Sequence, residues 1–229
     1  MKKTVGILGG MGPLATADLF KKIIENTPAS KDQEHLHIVI DNNPVIPDRT
    51  AALLYGGESP IPYFEKSVDV LEKGGADFVI MPCNTAHGFY RDLCAMTELP
   101  VLNMIEITHQ ALLAKDIKKV GLLATSGTIK AQIYQSYLGT DIDVMVPTDE
   151  EEEKVMDLIF KGVKAGNPSY DPAGFVSVAE RMLGDGAECI ILGCTELPVA
   201  MEMYSLNFPA VDPTLELAKG AVAYAMKEE

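Results

Sequence analysis

Short β-branched runs alternate with amphipathic stretches along the chain, the pattern of a parallel α/β sheet. Thr4–Leu8 reads as a buried strand, followed by glycines and a helical stretch near Pro13–Asn26. A second strand, Leu36–Ile40, ends in the loop Asp41–Asp48. In Tyr63–Lys73 the apolar residues Phe64, Val68 and Leu71 fall on one helical face, and Gly74-Gly75 closes the helix. Phe78–Met81 and Val101–Met104 are the third and fourth strands, and a helix follows from about Glu106 to Lys115. The scheme then begins again. Lys119–Ala124, Asp143–Val146, Cys189–Leu192 and Ala210–Val211 read as strands, with helices near Ile129–Leu138, Glu150–Ala165, Ala173–Gly184 and Leu215–Lys227.

That second round is a sequence repeat. Val5-Gly6-Ile7-Leu8 aligns with Val120-Gly121-Leu122-Leu123, 115 positions later. Gly75-Ala76-Asp77 through Cys83 aligns with Gly186-Ala187-Glu188 through Cys194, 111 positions later. Leu99-Pro100-Val101-Leu102-Asn103 aligns with Phe208-Pro209-Ala210-Val211-Asp212, 109 positions later. Three matched blocks in one order predict two similar α/β domains related by a pseudo-twofold, each a short parallel sheet flanked by helices. Residues 1–105 form the first and 106–213 the second, and a helix over about 214–229 is expected to return to the first.

Composition narrows the classes of function. The 229 residues carry 19 Lys+Arg against 33 Asp+Glu, a net charge of −14 that argues against a general nucleic-acid or anionic-membrane surface. The longest apolar runs fall short of the ~20 residues a membrane helix needs, and the glycines that follow Met1-Lys2-Lys3 do not make a secretory signal. Four cysteines, with no Cys-x-x-Cys pair, read as reduced cytoplasmic thiols rather than a dithiol or zinc site. His35 and His37 alternate on a strand without a third ligand, so no metal is expected. The glycines of Gly6–Gly12 lack the spacing of a dinucleotide loop.

In open parallel sheets, ligands bind beyond the carboxyl ends of the strands. Each half puts a cysteine there, Cys83 in the first and Cys194 in the second. If the halves face each other, two thiols flank one ligand, the arrangement that racemisation or epimerisation of a carbon acid needs. Cys94, in a helix, and Cys189, in a strand, read as structural. Asn84-Thr85-Ala86 and Thr195-Glu196 follow the two strand-end cysteines, where helix-start N–H groups favour a thiolate and hold a carboxylate. Thr125, Ser126 and Thr128, with Met11 between its glycines, lie at the ends of the matched first strands. Arg49, in a loop, and Lys164, at a helix end, are the cations available to a second carboxylate. His87 reads as a satisfied residue of a first helical turn. Tyr55–Pro60 is expected to be a mobile loop that closes over the ligand and carries Arg49 inward.

These motifs resemble the aspartate/glutamate racemase superfamily over essentially the whole chain. Met-Pro-Cys83-Asn-Thr-Ala-His87 and Gly-Cys194-Thr-Glu-Leu-Pro match its two cysteine motifs. Gly-Gly-Met-Gly-Pro13, Pro-Asp-Arg49-Thr and Thr125-Ser-Gly-Thr128 match as well. Glutamate racemases carry Gly-Cys-Thr-His at the second motif and Asp-Ser after the first strand. Glu196 and Gly9-Gly10 stand at those places here, which is the aspartate racemase pattern. The resemblance implies racemisation of an acidic amino acid by two cysteines, no cofactor, no metal and a homodimer. It also implies substrate contacts from Arg49, Asn84, Thr85, Ala86 and Lys164. Phe160 stands where related aspartate racemases often carry Tyr, which leaves aspartate against glutamate or a larger acid open. Two other readings remain: a related maleate isomerase or arylmalonate decarboxylase type of enzyme using the same thiols, and a binding protein without turnover.

Overall fold

The computed structural model describes residues 2–227; Met1, Glu228 and Glu229, including the end of the expected last helix, lie outside the described residues. The first half runs β1 (Val5–Gly9), α1 (Pro13–Asn26), β2 (Ile38–Asn42), α2 (Arg49–Leu54), α3 (Ile61–Lys73), β3 (Phe78–Ile80), a tight 3-10 segment (Thr85–Phe89), α4 (Tyr90–Ala95) and β4 (Val101–Leu102). The second half continues with α5 (Met104–Ala114), β5 (Lys119–Ala124), α6 (Ser126–Lys130), α7 (Ile133–Leu138), β6 (Asp143–Met145), α8 (Asp149–Asp157), a π-helical segment (Leu158–Lys164), α9 (Ala173–Gly184), β7 (Cys189–Gly193), α10 (Glu196–Met203), β8 (Ala210–Val211) and α11 (Pro213–Met226).

Two four-stranded parallel sheets result, ordered β2-β1-β3-β4 and β6-β5-β7-β8. The orders are equivalent strand for strand, as the three aligned blocks require. The central strands β1 and β5 pair with neighbours on both edges, Ile7 beside Ile40 and Ile80, and Gly121 beside Met145 and Ile190. Covered on both faces, they read as continuous apolar runs rather than as alternation.

The helix that follows the fourth strand of each sheet packs on the other sheet. Leu217, Ala218, Ala221, Val222 and Ala225 of α11 share a core with Val5, Ile7, Phe78 and Ile80 of the first sheet. Ile105 and Leu112 of α5 share a core with Val120, Leu122 and Ile191 of the second. Each Leu, Ile or Val buried among them contributes about 1.5–3 kcal/mol, which ties the two halves together.

Several element bounds differ from the periodicity reading, for local reasons. Arg49 is not in a loop: Asp48 accepts Ala51 N–H at 2.7 Å and starts α2 at Arg49. The helix expected over Ile129–Leu138 is two, broken at Gln132, whose φ of 52° is left-handed. The helix from Glu150 is capped by Thr148 and Glu151 in a reciprocal box and passes into a π-helical turn at Leu158. Val101–Met104 is cut to two strand residues because Asn103 accepts the N–H groups of Ile105 and Glu106 and starts α5.

Candidate active site

The carboxyl ends of both sheets open onto one cavity. Its volume is about 20 Å³, and it is lined by Met11, Asp48, Arg49, Thr50, Cys83, Asn84, Thr85, Thr125, Phe160, Lys164, Cys194, Thr195 and Glu196. Cys83 follows β3 and Cys194 follows β7, strands at equivalent places in their sheets. Both thiols are free and buried. The cavity adjoins an outer vestibule of about 480 Å³ that shares Met11, Asp48, Arg49, Lys164 and Glu196 with it. Pro13, Leu14, Pro44, Ile46 and Val163 give the vestibule apolar walls.

The junction between the halves is a set of hydroxyls. Thr85 Oγ1 lies 2.9 Å from both Thr125 Oγ1 and Thr128 Oγ1, and the latter two are 3.2 Å apart. Three buried hydroxyls in a ring satisfy one another, each donating once. Gly127 makes the close approach possible, since a Cβ there would stand 2.5 Å from Thr50 Oγ1 and 2.8 Å from Thr85 Cγ2.

The polar lining is held from behind. Tyr134 donates its hydroxyl to Asn84 Oδ1 at 2.6 Å, and burial pushes the phenol well above its usual range, so it remains a donor. That fixes the amide with Nδ2 buried and without a protein partner, an available donor on the cavity wall. Arg49 donates from Nη1 to the carbonyls of Ile46 and Pro47 at 3.1 and 2.9 Å, and its buried Nε has no partner. His87 bonds through Nδ1 to the Cys83 carbonyl at 2.8 Å and through Nε2 to Met104 N–H at 3.1 Å. Since an N–H must donate, Nε2 is the acceptor and Nδ1 carries the proton. Burial pushes this imidazole down to about 4, so it is a neutral clamp on the strand end.

Glu196 links the second thiol to a cation. Cys194 donates S–H to Glu196 Oε2 at 3.0 Å, Thr195 donates its hydroxyl to the same oxygen at 3.4 Å, and Lys164 Nζ stands 3.7 Å from Oε1. Lys164 also lies 5.0 Å from the Phe160 ring centroid. The π-helical turn carries both Phe160 and Lys164 to the cavity. Burial first, and then the Glu196 carboxylate, raise the Cys194 thiol well above its usual range, against a smaller pull from Lys164 and the Glu196 N–H. The expected depression by the helix N-terminus is therefore outweighed at this cysteine.

Of the residues singled out in the sequence, three do not line the cavity. Ala86 is fully buried in the first core, and Thr128 is fully buried in the hydroxyl ring. Ser126 turns away to donate its hydroxyl to Glu152. Asp48 and Thr50, which flank Arg49, line the cavity without having been singled out; the Pro-Asp-Arg49-Thr motif held the signal. Residues 55–60 are outside the lining, and Gly57 N–H folds back onto the Ala51 carbonyl at 3.0 Å. Cys94 is exposed on α4, whereas Cys189 is buried in β7, with its thiol pushed up to about 11 by burial. Among the described residues, no three His, Cys, Asp or Glu side chains converge as metal ligands, and no helix is long and apolar enough to cross a membrane.

The Asp/Glu/hydantoin racemase family model matches residues 8–221. The broad specificity amino-acid racemase RacX of Bacillus subtilis is 28% identical over 229 residues, 96% of each chain. Picrophilus torridus aspartate racemase superposes with a TM-score of 0.87 at 32% identity, over 99% of this chain and 95% of that one. An aspartate racemase homologue from Pyrococcus horikoshii OT3 superposes with a TM-score of 0.78 at 26% identity, over 99% and 100%.

Proposed function

Because the chain belongs to the Asp/Glu/hydantoin racemase family and is an amino-acid racemase, we propose that it interconverts L- and D-aspartate with Cys83 and Cys194 as the two acid–base groups. The observation that carries this reading is the position of those thiols at the ends of equivalent strands, on one shared cavity. For one enantiomer the Cys83 thiolate takes the α-proton, and the Cys194 thiol delivers its own proton to the opposite face. For the other enantiomer the roles reverse. The steps use side chains of the chain alone, without pyridoxal phosphate or a metal.

The α-proton is weakly acidic, so charge that grows on the carbanion and its carboxylate must meet preplaced donors. Asn84 Nδ2 is such a donor, buried on the cavity wall without a protein partner. Arg49 and Lys164 receive the distal carboxylate. Burial of both thiols and the small chamber keep water from the reacting carbon, which strengthens each charge contact.

A second reading, racemisation of amino acids with longer side chains, is favoured by the apolar vestibule and by the likeness to a broad specificity relative. Chiral chromatography of L-aspartate incubated without cofactor tests the first reading, with glutamate and larger amino acids run beside it. Cys83→Ala and Cys194→Ala should each lower racemisation by about 100-fold or more, the usual worth of a positioned acid or base. Full activity in either variant removes the mechanism.

A further inference from the structure

The backbone passes between the two cores twice. It leaves β4 on the first sheet for α5 on the second, and β8 on the second sheet for α11 on the first. A side-chain cap marks each crossing. Asn103 Oδ1 accepts the N–H groups of Ile105 and Glu106 at 2.9 and 3.1 Å, and Asp212 Oδ1 accepts Thr214 N–H at 2.8 Å. The two caps end the third aligned block, 109 positions apart. Each is also tied to a helix that follows the opening strand of a half. Asn103 Nδ2 donates to the Tyr137 hydroxyl of α7 at 2.8 Å, and Lys22 Nζ of α1 lies 2.6 Å from Asp212 Oδ2. Lys22 and Tyr137 are 115 positions apart, the offset of the first aligned block. The two ties are therefore equivalent under the pseudo-twofold.

Their chemistry differs. The first crossing is neutral and held from both sides, since Tyr90 donates its hydroxyl to the Val101 carbonyl at 2.7 Å. The second is an ion pair whose Lys22 and Asp212 side chains are 14% and 16% exposed. They border a cleft of about 310 Å³ between α1 and α10. Asp18, Lys21 and Glu25 of α1 and Glu202 of α10 add charge to its walls, and Leu192, Pro198 and Met201 add apolar surface. Lys22 also pairs with Asp18, and Lys21 stands 3.4 Å from Glu202. At this crossing the halves meet across a space rather than a packed core. The thiol-lined chamber, at about 20 Å³, has room for about one water, so an amino acid reaches it only when its walls part. We infer that the second crossing is the joint at which the halves part to admit substrate, and that the Lys22–Asp212 ion pair is the latch that holds it shut. With the pair made, α1 is fixed to the end of β8 and both thiols are sealed. With it broken, the cleft lets α1 and α10 turn past each other about the neutral first crossing, and the chamber opens.

Alkylation by iodoacetamide, followed cysteine by cysteine by mass spectrometry, measures this opening. Cys83 and Cys194 are buried and react only when the chamber is open. Exposed Cys94 reads the reagent itself, and Cys189, buried in β7, reads global unfolding. Asp212→Asn is the variant of choice, because asparagine keeps the cap oxygen, as Asn103 does at the other crossing, and Lys22 keeps Asp18. Loss of this partly buried pair should speed alkylation of Cys83 and Cys194 about three- to ten-fold, with Cys94 and Cys189 unchanged. Rates at Cys83 and Cys194 no faster than wild type overturn the inference. Acceleration of Cys189 in step with them overturns it as well, since that reports unfolding. Tyr137→Phe, at the first crossing, should raise the two rates less; a rise as large as that of Asp212→Asn overturns the assignment of the joint. If Asp212→Asn does not fold, Lys22→Met reads the same rates, and wild-type values there overturn the latch. The readout needs no turnover, so it is separate from the two-thiol reading. Full activity in Cys83→Ala or Cys194→Ala would remove that reading and leave the latch standing.

Discussion

Tyr134→Phe removes one oxygen that never touches the cavity, and it should weaken both the fold and substrate binding. The hydroxyl donates to Asn84 Oδ1 at 2.6 Å, with Tyr134 fully buried and Asn84 2% exposed. Phenylalanine fills nearly the same space, so the main cost is an acceptor left buried without a donor, about 1–3 kcal/mol. For a chain of this size each kcal/mol moves Tm by about 2–4 °C. Differential scanning calorimetry should therefore show Tm lowered by roughly 2–12 °C. Without Tyr134 the Asn84 amide is free to turn its oxygen toward the cavity, where it would repel the carboxylate that Nδ2 would bind. Loss of one such contact raises KM roughly ten-fold, or about 1.4 kcal/mol. A Tm within about 1 °C of wild type, together with an unchanged KM, would refute the argument. A lowered Tm with KM unchanged would keep the structural half and remove Asn84 from the substrate.

His87→Gln tests the neutral clamp. The folded imidazole titrates at about 4 against an ordinary value of 6.5, so its contribution is full above that ordinary value. Between the two values the unfolded chain binds the proton that the fold excludes. Stability is lost as pH falls through this window, by up to roughly 3 kcal/mol. In urea titrations the lead of wild type over His87→Gln should be largest near neutral pH and narrow toward the acid end; a constant difference contradicts the assignment. Gly127→Ala gains about 0.5–1 kcal/mol of helix propensity but drives a Cβ to 2.5 Å from Thr50 Oγ1 and 3.0 Å from Thr50 Cα. Overpacking of about 1–3 kcal/mol should win, lowering the urea midpoint and, by shifting Thr50 beside Arg49, lowering kcat/KM. An alanine variant as stable and active as wild type would show that the junction yields freely.

The repeat, and with it the equivalence of the two sheets, is written in the order of the residues. Apolar runs at β1 and β5, the Gly-Ala-Asp and Gly-Ala-Glu turns before β3 and β7, and prolines before β4 and β8 are local signals. Backbone conformation and burial answer to such signals directly. They place Cys83 and Cys194 at equivalent strand ends. Elements longer than one signal were less legible. Gln132 breaks a helix that its apolar spacing would continue, and the turn to π-helix at Leu158 leaves no mark in the pattern of apolar residues.

What each polar side chain faces depends on how distant segments pack. Asp48 and Arg49 read as loop residues, yet a single capping bond makes Arg49 the first residue of a helix and ties its Nη1 to the chain behind it. Ser126 and Thr125 are adjacent in sequence, but one turns to Glu152 and the other joins the hydroxyl ring. Glu196 faces Lys164, which the π-helical turn brings from far away along the chain. A hydrogen bond or ion pair forms only at specific distance and angle. Those depend on how separate elements pack, whereas an apolar residue needs only to be out of water.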